Sequence, residues 1–564
     1  MMKVVCADPV RQLPGKISEQ QKKGHPLACR SQQANTIHQG RVGVQYKMQK
    51  KGVVAAGHEQ TAKAAGYILS EGGNAFDAVI AAHLAACVVE PVLSSLAGGG
   101  FLMAQTAAGD NLLYDFFVQT PVTKRAVEDT DFFPISADFG TVRQEFHIGL
   151  GSVATPGTVK GLFSVHRELS TLPMTVLAEP AIELARGGVV MNAFQAYIFD
   201  IVKAIYLAYP DTRNTFDSKT HQGQLLQQGE VLYLPDLADC LEVLAREGEA
   251  FFYQGEIARA VIRLCAERGG HLVGKDFNDY RPVKRKPLSI DYREATVLTN
   301  PAPSSGGTLI AFALQLLQAF DLSRHSPSTA PYLDLLAQVQ DMTNKARIDA
   351  YLDDHTHHPG EHVLDAENVE AYRNQIKPAP ICSRGTTQIS VIDGQGNIAS
   401  LTTSNGEGCG VLIPGTGIIL NNMLGEQDLN PKGFHHWPTH ERMTSMMAPC
   451  IVMLPDKRRF ALGSGGSNRL RTAILQVLLN LIDFKMPLDQ AVTHPRIHHE
   501  DGLLSLEGGF DDSEIARLLK NHPNHKVWGS RNLFFGGTHS VGSSPDGFLG
   551  IGDPRRGGYA LEIS

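Results

Sequence analysis

Gly385, Thr386 and Thr387 carry the residue types of a nucleophile that activates itself. A threonine hydroxyl is a weak nucleophile at neutral pH and needs an adjacent base. Cleavage of the bond between Gly385 and Thr386 would give Thr386 an α-amine, whose ordinary pKa is about 8, beside its own hydroxyl. Gly385 has no side chain to obstruct attack on its carbonyl. These three residues therefore permit self-cleavage at this bond followed by attack on amides by Thr386, and the surrounding sequence decides whether they indicate it.

A second candidate element is the glycine-rich segment Gly463–Asn468, which precedes a helix predicted over 470–484. Backbone N–H groups at a helix N-terminus point outward and carry partial positive charge. Such a turn can stabilise the oxyanion of a tetrahedral intermediate, or it can hold a phosphate. A Walker loop is disfavoured because no Gly-Lys-Ser/Thr follows. A plain strand-to-helix turn is the third alternative.

Thr444 and Ser445 place two adjacent hydroxyls among apolar neighbours. They indicate either a small polar pocket for a carboxylate or two hydroxyls satisfied within a turn. Other catalytic signatures are missing from the sequence: no Gly-x-Ser-x-Gly elbow is intact, and the eight cysteines include no Cys-x-x-Cys pair. His498-His499-Glu500 lacks the His-Glu-x-x-His spacing of a zinc site. We therefore predict neither a metal nor a cofactor.

Composition narrows the function classes. The 564 residues are 43% hydrophobic and 19% charged, which favours a large folded core. A net charge of −7, with a pI near 6.3 and no long Lys/Arg block, disfavours nucleic-acid binding and favours a small-molecule substrate. Residues 1–51 are polar and lack the apolar stretch of a secretory signal, and no apolar run is long enough to span a membrane. With the scattered cysteines, these features predict a poorly ordered N-terminal extension and a cytoplasmic enzyme.

The predicted elements place Thr386 at the start of a strand. Residues 388–401 are predicted as strand, turn and strand. A buried strand start would hold the hydroxyl and the new amine side by side. Upstream, helices are predicted over 58–69 and 75–89, before a glycine turn at 98–100 that leads into an apolar strand. The remaining predictions are helices from 308 (capped by Ser304 or Ser305) and over 332–351, and strands over 418–422, 451–454 and 458–462.

Taken together, these motifs resemble the gamma-glutamyltranspeptidase family from about Val53 to Ala560, in the family's order. Each motif is short, but their number and their shared order make the probability of chance agreement very small. The matching segments are Ser70–Ala75 with Asp77-Ala78, Gly98–Phe101, Thr155–Val159, Pro303–Gly307, Thr386-Thr387 with Ser390-Val391 and Gly396-Asn397, Asn421-Asn422, Ser445-Met446, Gly465-Gly466 and Asp553–Arg555.

The resemblance implies a precursor that cleaves itself into a large subunit, residues 52–385 behind the N-terminal extension, and a small subunit, residues 386–564. The two would form a heterodimer, with or without further oligomerisation. Their shared α/β fold would be the four-layer αββα sandwich of N-terminal-nucleophile hydrolases. The implied activity is transfer of a γ-glutamyl or related acyl group, from a small glutathione-like amide to water or an amine, through a Thr386 acyl-enzyme.

The resemblance also implies catalytic positions. Thr386 is the nucleophile, and Ser404 lies where the family has a threonine that hydrogen-bonds it. The oxyanion pair falls within Gly465, Gly466 and Ser467. The substrate-binding positions that it implies are Thr444 and Ser445 for the α-carboxylate, and Glu426, in place of a family aspartate, for the α-amine.

Departures from the family pattern concentrate in the substrate pocket. Phe117 stands where the family has an arginine that grips the substrate α-carboxylate, and phenylalanine cannot replace a bidentate guanidinium contact. Gln388 replaces a family histidine. The family's Thr-x-Asn stretch is shortened, so Asn405 or Glu407 would take the role of its asparagine. We therefore expect amides other than simple γ-glutamyl compounds as substrates, or γ-glutamyl compounds that bind weakly.

Two alternative functions remain open from the sequence. One is an acylase of the same fold that acts on N-acyl or cephalosporin-type amides, which Phe117 favours. The other is a non-catalytic relative that acts as a binding protein, which the intact Gly385-Thr386 pair disfavours.

Overall fold

The computed structural model describes residues 50–138, 143–353, 362–374, 386–430 and 432–564. Gly385 and residues 1–49 of the predicted N-terminal extension lie outside these ranges. Within the described ranges, no helix is both long enough and apolar enough to cross a membrane.

The helices begin at recognisable capping signals. Before α2, the Asn74 side chain accepts hydrogen bonds from the N–H groups of Phe76 and Asp77, and the Asp77 carboxylate accepts from the Asn74 N–H. The described helices are α1 (Glu59–Ser70), α2 (Ala75–Val89), α3 (Thr158–Leu169), α4 (Met174–Gly187), α5 (Ala193–Tyr206), α6 (Pro210–Phe216), α7 (Pro235–Glu247), α8 (Glu249–Tyr253), α9 (Glu256–Arg268), α10 (Gly274–Asp279), α11 (Ser305–Leu317), α12 (Ala330–Asp353), α13 (Ala366–Arg373), α14 (Arg469–Ile482), α15 (Leu488–Thr493) and α16 (Asp512–Leu518).

The strands are short, and nearly all of their pairings are antiparallel. The described strands are β1 (Gly52–Ala56), β2 (Gly99–Gln105), β3 (Asn111–Phe116), β4 (Phe133–Asp138), β5 (Arg143–Ile148), β6 (Val189–Val190), β7 (Val231–Leu232), β8 (Val283–Arg285), β9 (Leu288–Tyr292), β10 (Ala295–Thr299), β11 (Thr387–Asp393), β12 (Ile398–Ser404), β13 (Cys450–Met453), β14 (Arg459–Leu462), β15 (Ile497–Glu500), β16 (Leu503–Leu506), β17 (His525–Val527), β18 (Ser540–Ser544), β19 (Gly547–Ile551) and β20 (Tyr559–Ile563).

Two large sheets form the centre of the molecule. One has the strand order β20-β1-β11-β12-β2-β3-β8, and the other has the order β19-β18-β14-β13-β10-β9. Helices α1 and α2 pack on the outer face of the first sheet, with α4 packed on α2. Helix α11 packs on β9 of the second sheet, and α14 packs on α11. The layer order is therefore αββα, which confirms the predicted sandwich.

The side chains of β1 pack alternately into two hydrophobic cores on opposite faces of its sheet. Successive side chains of a strand point to opposite faces of its sheet. Val54 and Ala56 belong to the core under α1 and α2, whereas Val53 and Ala55 belong to the core that includes the second sheet. Strand β11, which pairs with β1, is buried along its whole length. The start of β11 is therefore held between two packed layers.

Most predicted elements are confirmed. Helix α2 has its predicted bounds, and the strand, turn and strand of 388–401 are present as β11 and β12. The predicted strand over 418–422 is wrong, because this segment contributes only an isolated bridge between Leu412 and Ile419. The Asn421 side chain explains the difference: it donates to the carbonyls of Ala97 and Ala154, both at 2.9 Å. Side-chain hydrogen bonds thus replace the expected ladder.

The predicted serine cap of α11 is also wrong. Ser304 is the N-cap residue, but its hydroxyl makes no capping hydrogen bond and instead donates to the Ser445 carbonyl at 2.9 Å. The Ser305 hydroxyl also points to the Ser445 carbonyl, at 3.3 Å. These serines therefore tie α11 to the loop that carries the predicted hydroxyl pair.

Asp393 links the turn between β11 and β12 to helix α2. Its carboxylate accepts hydrogen bonds from the N–H of Ala75 at 2.9 Å, the N–H of Gln395 at 2.9 Å and the N–H of Asn397 at 3.0 Å. Ala75 is the first residue of α2, where the helix dipole favours a negative charge. One buried carboxylate thus joins segments that lie on opposite sides of Thr386 in sequence.

We predict that Asp393→Ala lowers the free energy of unfolding by about 2–4 kcal/mol, because several buried N–H groups lose a charged acceptor. Denaturant unfolding monitored by circular dichroism measures the change. The exposed neighbour Gln395 provides the control, and Gln395→Ala should stay within about 0.5 kcal/mol of the parent. Equal stability of the two variants would contradict this role for Asp393.

Candidate active site

Thr386 immediately precedes β11 and is only 4% exposed. Strand β11 lies between β1 and β12 in the seven-stranded sheet. Its first residue, Thr387, pairs with Thr403 of β12, and pairing with β1 begins at Ile389. Gly385, the predicted cleavage partner, lies outside the described residues. The predicted placement of Thr386 at the start of a buried strand is present in the structure.

Two groups hold the Thr386 carbonyl. A Cβ atom added to Gly465 would lie 1.8 Å from the carbonyl oxygen, so the two backbones touch and only glycine fits. Arg556 donates from Nη1 to the same oxygen at 3.2 Å. Burial lowers the pKa of the Arg556 guanidinium to about 10, against the opposing charges of Asp553, Glu407 and Glu90. A buried cation and a glycine thus fix the backbone of the candidate nucleophile.

The glycine-rich turn before α14 has an unusual backbone. Gly466 has a φ of 129°, and Ser467, which is not a glycine, has a φ of 53°. A left-handed conformation is uncommon for a residue with a side chain and occurs mainly where the surroundings enforce it. The Ser467 hydroxyl donates to Asp428 Oδ2 at 2.6 Å, which holds it there. The turn thus brings Ser467 and the carboxylate of Asp428 to one wall of the candidate site.

A cavity of about 40 Å³ lies beside Thr386. Six of the predicted site residues line it, namely Phe117, Thr386, Ser404, Glu426, Ser445 and Ser467. The predicted residues that do not line it are Asn405, Glu407, Thr444, Gly465 and Gly466. The lining residues that the sequence did not predict are Gly406, Met423, Asp428, Leu429, Met446, Met447 and Leu470. The structure therefore brings together one predicted residue from before Thr386 and five from Thr386 onwards.

Ser404 lines the cavity, whereas the predicted residues that follow it, Asn405 and Glu407, do not. The Ser404 hydroxyl oxygen accepts from the Gly406 N–H at 3.0 Å at the cavity wall. The Asn405 side-chain amide is fully buried, and neither of its polar atoms has a hydrogen-bond partner among the described residues. Glu407 is buried, and its N–H donates to Asn422 Oδ1 at 3.0 Å. Of the two predicted substitutes for the family asparagine, neither lines the cavity.

The two predicted hydroxyl groups, of Thr444 and Ser445, make different contacts. The Thr444 hydroxyl donates to the Pro303 carbonyl at 2.9 Å, so its single proton is committed to a loop contact. The Ser445 hydroxyl faces the cavity and accepts from the Met447 N–H at 3.1 Å. The Ser445 carbonyl also accepts from the N–H of Ser305 at 3.0 Å. Ser445 is therefore the member of the pair that is placed to meet a ligand.

Phe117 forms an apolar part of the cavity wall. It is 1% exposed and stacks on Phe101, with ring centroids 5.6 Å apart. Its backbone carbonyl accepts from the Tyr280 hydroxyl at 2.8 Å and from Arg442. Arg442 is thus close to Phe117, but it contacts the backbone and does not line the cavity.

Glu90 is a buried carboxylate behind the candidate nucleophile that sequence reasoning missed. Its two oxygens accept from the Thr387 hydroxyl and the Thr61 hydroxyl, each at 3.2 Å. Burial raises the pKa of Glu90 to about 7, although those two hydrogen bonds and the charge of Arg556 oppose the shift. Glu90 ends α2 just before Pro91, and nothing in that local pattern indicates proximity to Thr387.

We predict that Gly465→Ala lowers turnover at Thr386 by at least roughly 100-fold, because the new methyl group must displace the Thr386 backbone and misplace its hydroxyl. Steady-state kinetics with any substrate that the parent hydrolyses measures the loss. Gly187→Ala is the matched control, since nothing lies within 4 Å of the position that its Cβ would take. Retention of parental turnover by Gly465→Ala would show that the Thr386 backbone does not need this restraint.

We also predict a pH-dependent effect of Glu90→Gln on stability. The pKa of Glu90 in the folded protein, about 7, exceeds its ordinary value of 4.5, so folding is favoured at low pH and loses this contribution as pH rises through 7. Glutamine keeps an acceptor oxygen but cannot ionise. Relative to the parent, Glu90→Gln should therefore gain about 2–3 kcal/mol between pH 5 and pH 8. Denaturant unfolding at both pH values tests this, and an unchanged difference would refute it.

Comparisons with known proteins place this site in a family. The sequence matches the family described as gamma-glutamyltranspeptidase over residues 61–563. A glutathione hydrolase proenzyme of Escherichia coli is 30% identical over 538 residues, which cover 90% of each chain. An acylase ACY 1 proenzyme of a Pseudomonas species is 31% identical over 541 residues, covering 91% of this chain and 94% of that protein.

Solved structures share the fold. The crystal structure of cephalosporin acylase from Bacillus halodurans is similar with a TM-score of 0.79, covering 93% of this chain and 98% of that chain at 24% identity. A gamma-glutamyltranspeptidase from Helicobacter pylori has a TM-score of 0.51 at 25% identity, covering 62% of this chain and 95% of that chain. These matches confirm the resemblance inferred from the motifs, and with it an enzyme of the N-terminal-nucleophile amidohydrolase class. The chain belongs to the gamma-glutamyltranspeptidase family.

Proposed function

We propose that this protein is a self-cleaving amidohydrolase and acyltransferase that uses Thr386 to transfer a γ-glutamyl or related short acyl group from a small amide to water or an amine. The observation that carries the proposal is the position of Thr386, buried at the start of β11 with its carbonyl against Gly465 and Arg556. Family membership supports the reaction class.

Self-cleavage would begin with attack of the Thr386 hydroxyl oxygen on the Gly385 carbonyl carbon. The peptide C–N bond breaks as the C–O ester bond forms, and the hydroxyl proton goes to the released Thr386 amine. Water then hydrolyses the ester, which leaves a carboxylate on Gly385 and a free hydroxyl on Thr386. The contacts of the Thr386 carbonyl with Gly465 and Arg556 lie on the far side of the broken bond, so they can persist throughout.

In turnover, the Thr386 amine would take the hydroxyl proton, directly or through one water, while the oxygen attacks the substrate carbonyl. The Gly465 N–H donates to the Gly537 carbonyl at 3.4 Å, so the N–H groups of Gly466 and Ser467 would hold the oxyanion. The loss of one such donor typically costs about 3 kcal/mol. The amine returns the proton to the leaving nitrogen. The acyl-enzyme then passes its acyl group to water or to an acceptor amine.

The two products of cleavage would remain together as a heterodimer of residues 1–385 and 386–564. Strand β1, from the first part, pairs with both β11 and β20 from the second part. Strand β2 pairs with β12 in the same sheet. The two subunits would thus share hydrogen-bonded strands and would separate only if the sheet came apart.

A second candidate function is an acylase for N-acyl amides that lack a γ-glutamyl group. Phe117 in the cavity wall favours it, because a buried phenylalanine cannot bind a substrate carboxylate as a guanidinium does. The reaction at Thr386 would be the same, and only the acyl group would differ.

We predict that the purified parent separates on a denaturing gel into fragments 1–385 and 386–564, and that Thr386→Ala stays in one piece and loses turnover by roughly 10³-fold or more. Intact mass and the N-terminal sequence of the smaller fragment locate the cut. Thr386→Ser should still cleave, since it keeps a hydroxyl.

The control variant is Thr387→Ala, which removes the hydroxyl of the next residue and should leave the cut at the same bond. A new N-terminus at any residue other than Thr386, or cleavage and turnover by Thr386→Ala, would overturn the proposal. An uncut parent that binds small amides without turnover would instead support the non-catalytic alternative.

A further inference from the structure

We infer that the cavity beside Thr386 selects short acyl chains that carry an ammonium group and discriminates against those that carry a carboxylate, with Asp428 as a specificity-determining residue beside Glu426. The inference rests on the proposed function, because it concerns the acyl group that Thr386 would accept. It assigns to Asp428 a role that the sequence motifs did not indicate.

The cavity wall carries acidic side chains. Glu426 and Asp428 both line the cavity, and its described lining includes no lysine, arginine or histidine. A substrate carboxylate would therefore enter beside two carboxylates and meet no lysine, arginine or histidine side chain among the described lining residues. An ammonium group would instead meet two opposite charges, one on the buried Glu426 and one on the half-buried Asp428.

The two acidic residues are held in place at the wall. Glu426 is 4% exposed, and Asp428 Oδ2 accepts from the Ser467 hydroxyl at 2.6 Å. The Asn430 side chain donates to the carbonyl of Glu426 at 2.7 Å and to those of Met423 and Leu424, each at 3.2 Å. This buried amide fixes the loop that carries both carboxylates.

Three arginines of the surrounding elements have other partners, although the charge of Asp428 also acts on the buried Arg471. Arg471 donates from Nη2 to Glu500 at 3.3 Å and to Asn344 at 3.2 Å. Arg556 contacts the Thr386 carbonyl, and Arg442 contacts the Phe117 carbonyl. None of the three lines the cavity, so none is placed to bind a carboxylate inside it.

The hydroxyl groups of Thr444 and Ser445 do not replace the arginine that the family has at position 117. Thr444 lies off the cavity wall and donates its proton to the Pro303 carbonyl. Ser445 alone of the pair faces the cavity, and a single neutral hydroxyl binds a carboxylate much more weakly than a bidentate guanidinium does. Phe117 presents only carbon atoms from its side chain.

The cavity is small and partly open to solvent. A volume of about 40 Å³ holds about three water molecules. That space accommodates the end of a short unbranched chain. The apolar wall that would contact the methylene groups consists of Phe117, Met423, Leu429, Met446, Met447 and Leu470.

Four 4-nitroanilides that differ only in the acyl group test the inference on the self-cleaved enzyme. The γ-glutamyl compound carries both charges, the 4-aminobutyryl compound only the ammonium, the glutaryl compound only the carboxylate, and the butyryl compound neither. We expect kcat/KM for the 4-aminobutyryl compound to exceed that for the glutaryl compound by at least about ten-fold, with the γ-glutamyl compound between them.

Two variants identify the residues responsible. Asp428→Asn should reduce the preference for 4-aminobutyryl over butyryl by about ten-fold, whereas Asp546→Asn, which removes the same charge from an exposed turn, should not change it. Phe117→Arg should raise the ratio of γ-glutamyl to 4-aminobutyryl turnover. Because each readout is a ratio between substrates of one protein, a general loss of activity or folding does not move it.

The outcomes separate this inference from the proposed function. Self-cleavage at Thr386 with glutaryl or γ-glutamyl turnover equal to or above 4-aminobutyryl turnover would overturn the inference and leave the proposed function intact. Self-cleaved enzyme that turns over none of the four compounds would also overturn the inference. A chain that does not cleave at Thr386 would remove the proposed function and the inference with it.

Discussion

The active site depends on how the backbone of Thr386 is fixed. Its carbonyl oxygen touches Gly465 and accepts a hydrogen bond from Arg556, and the strand that follows is paired on both sides. A nucleophile that carries its own base needs the hydroxyl and the amine in one geometry. The restraint acts on the carbonyl of Thr386 and not on the hydroxyl and amine that we propose as the reacting groups.

Contacts between segments on either side of Thr386 make backbone scission compatible with a stable fold. The pairing of β1 with β11 and β20 joins segments from both sides of Thr386, as does the bond from Asp393 to the start of α2. These contacts lie in packed layers, and none of them needs the peptide bond before Thr386. A new chain terminus at this point would therefore stay buried at the position where it reacts.

Sequence patterns predicted the parts of this arrangement that depend on local order. Thr386 at a strand start, the bounds of α2 and the strand pair after Thr386 all follow from hydrophobic periodicity and turn residues. The αββα layers followed from collinear motifs. The failed strand over 418–422 shows the limit, because Asn421 takes up distant carbonyl groups that periodicity cannot reveal.

The candidate site was predicted less completely for the same reason. Glu90 and Arg556 reach the nucleophile from opposite ends of the chain, and only tertiary packing brings them to Thr387 and Thr386. Asp428 lies two residues after the predicted Glu426, yet its place on the wall depends on the left-handed backbone of Ser467. Thr444 and Ser445 are adjacent in sequence, but the Thr444 hydroxyl donates to the Pro303 carbonyl.

The reacting groups and the substrate pocket are carried by different parts of the fold. Thr386 and its carbonyl contacts belong to β11 and the turn before α14, whereas Glu426, Asp428 and Ser445 belong to loops. Those loops have hydrogen bonds of their own, through Asn430 and through the serines at the start of α11. A change at Phe117 or in these loops can therefore alter which acyl group fits without moving the nucleophile. This separation allows a chain of this family to keep Thr386 at the start of β11 while the described lining of its pocket includes no arginine.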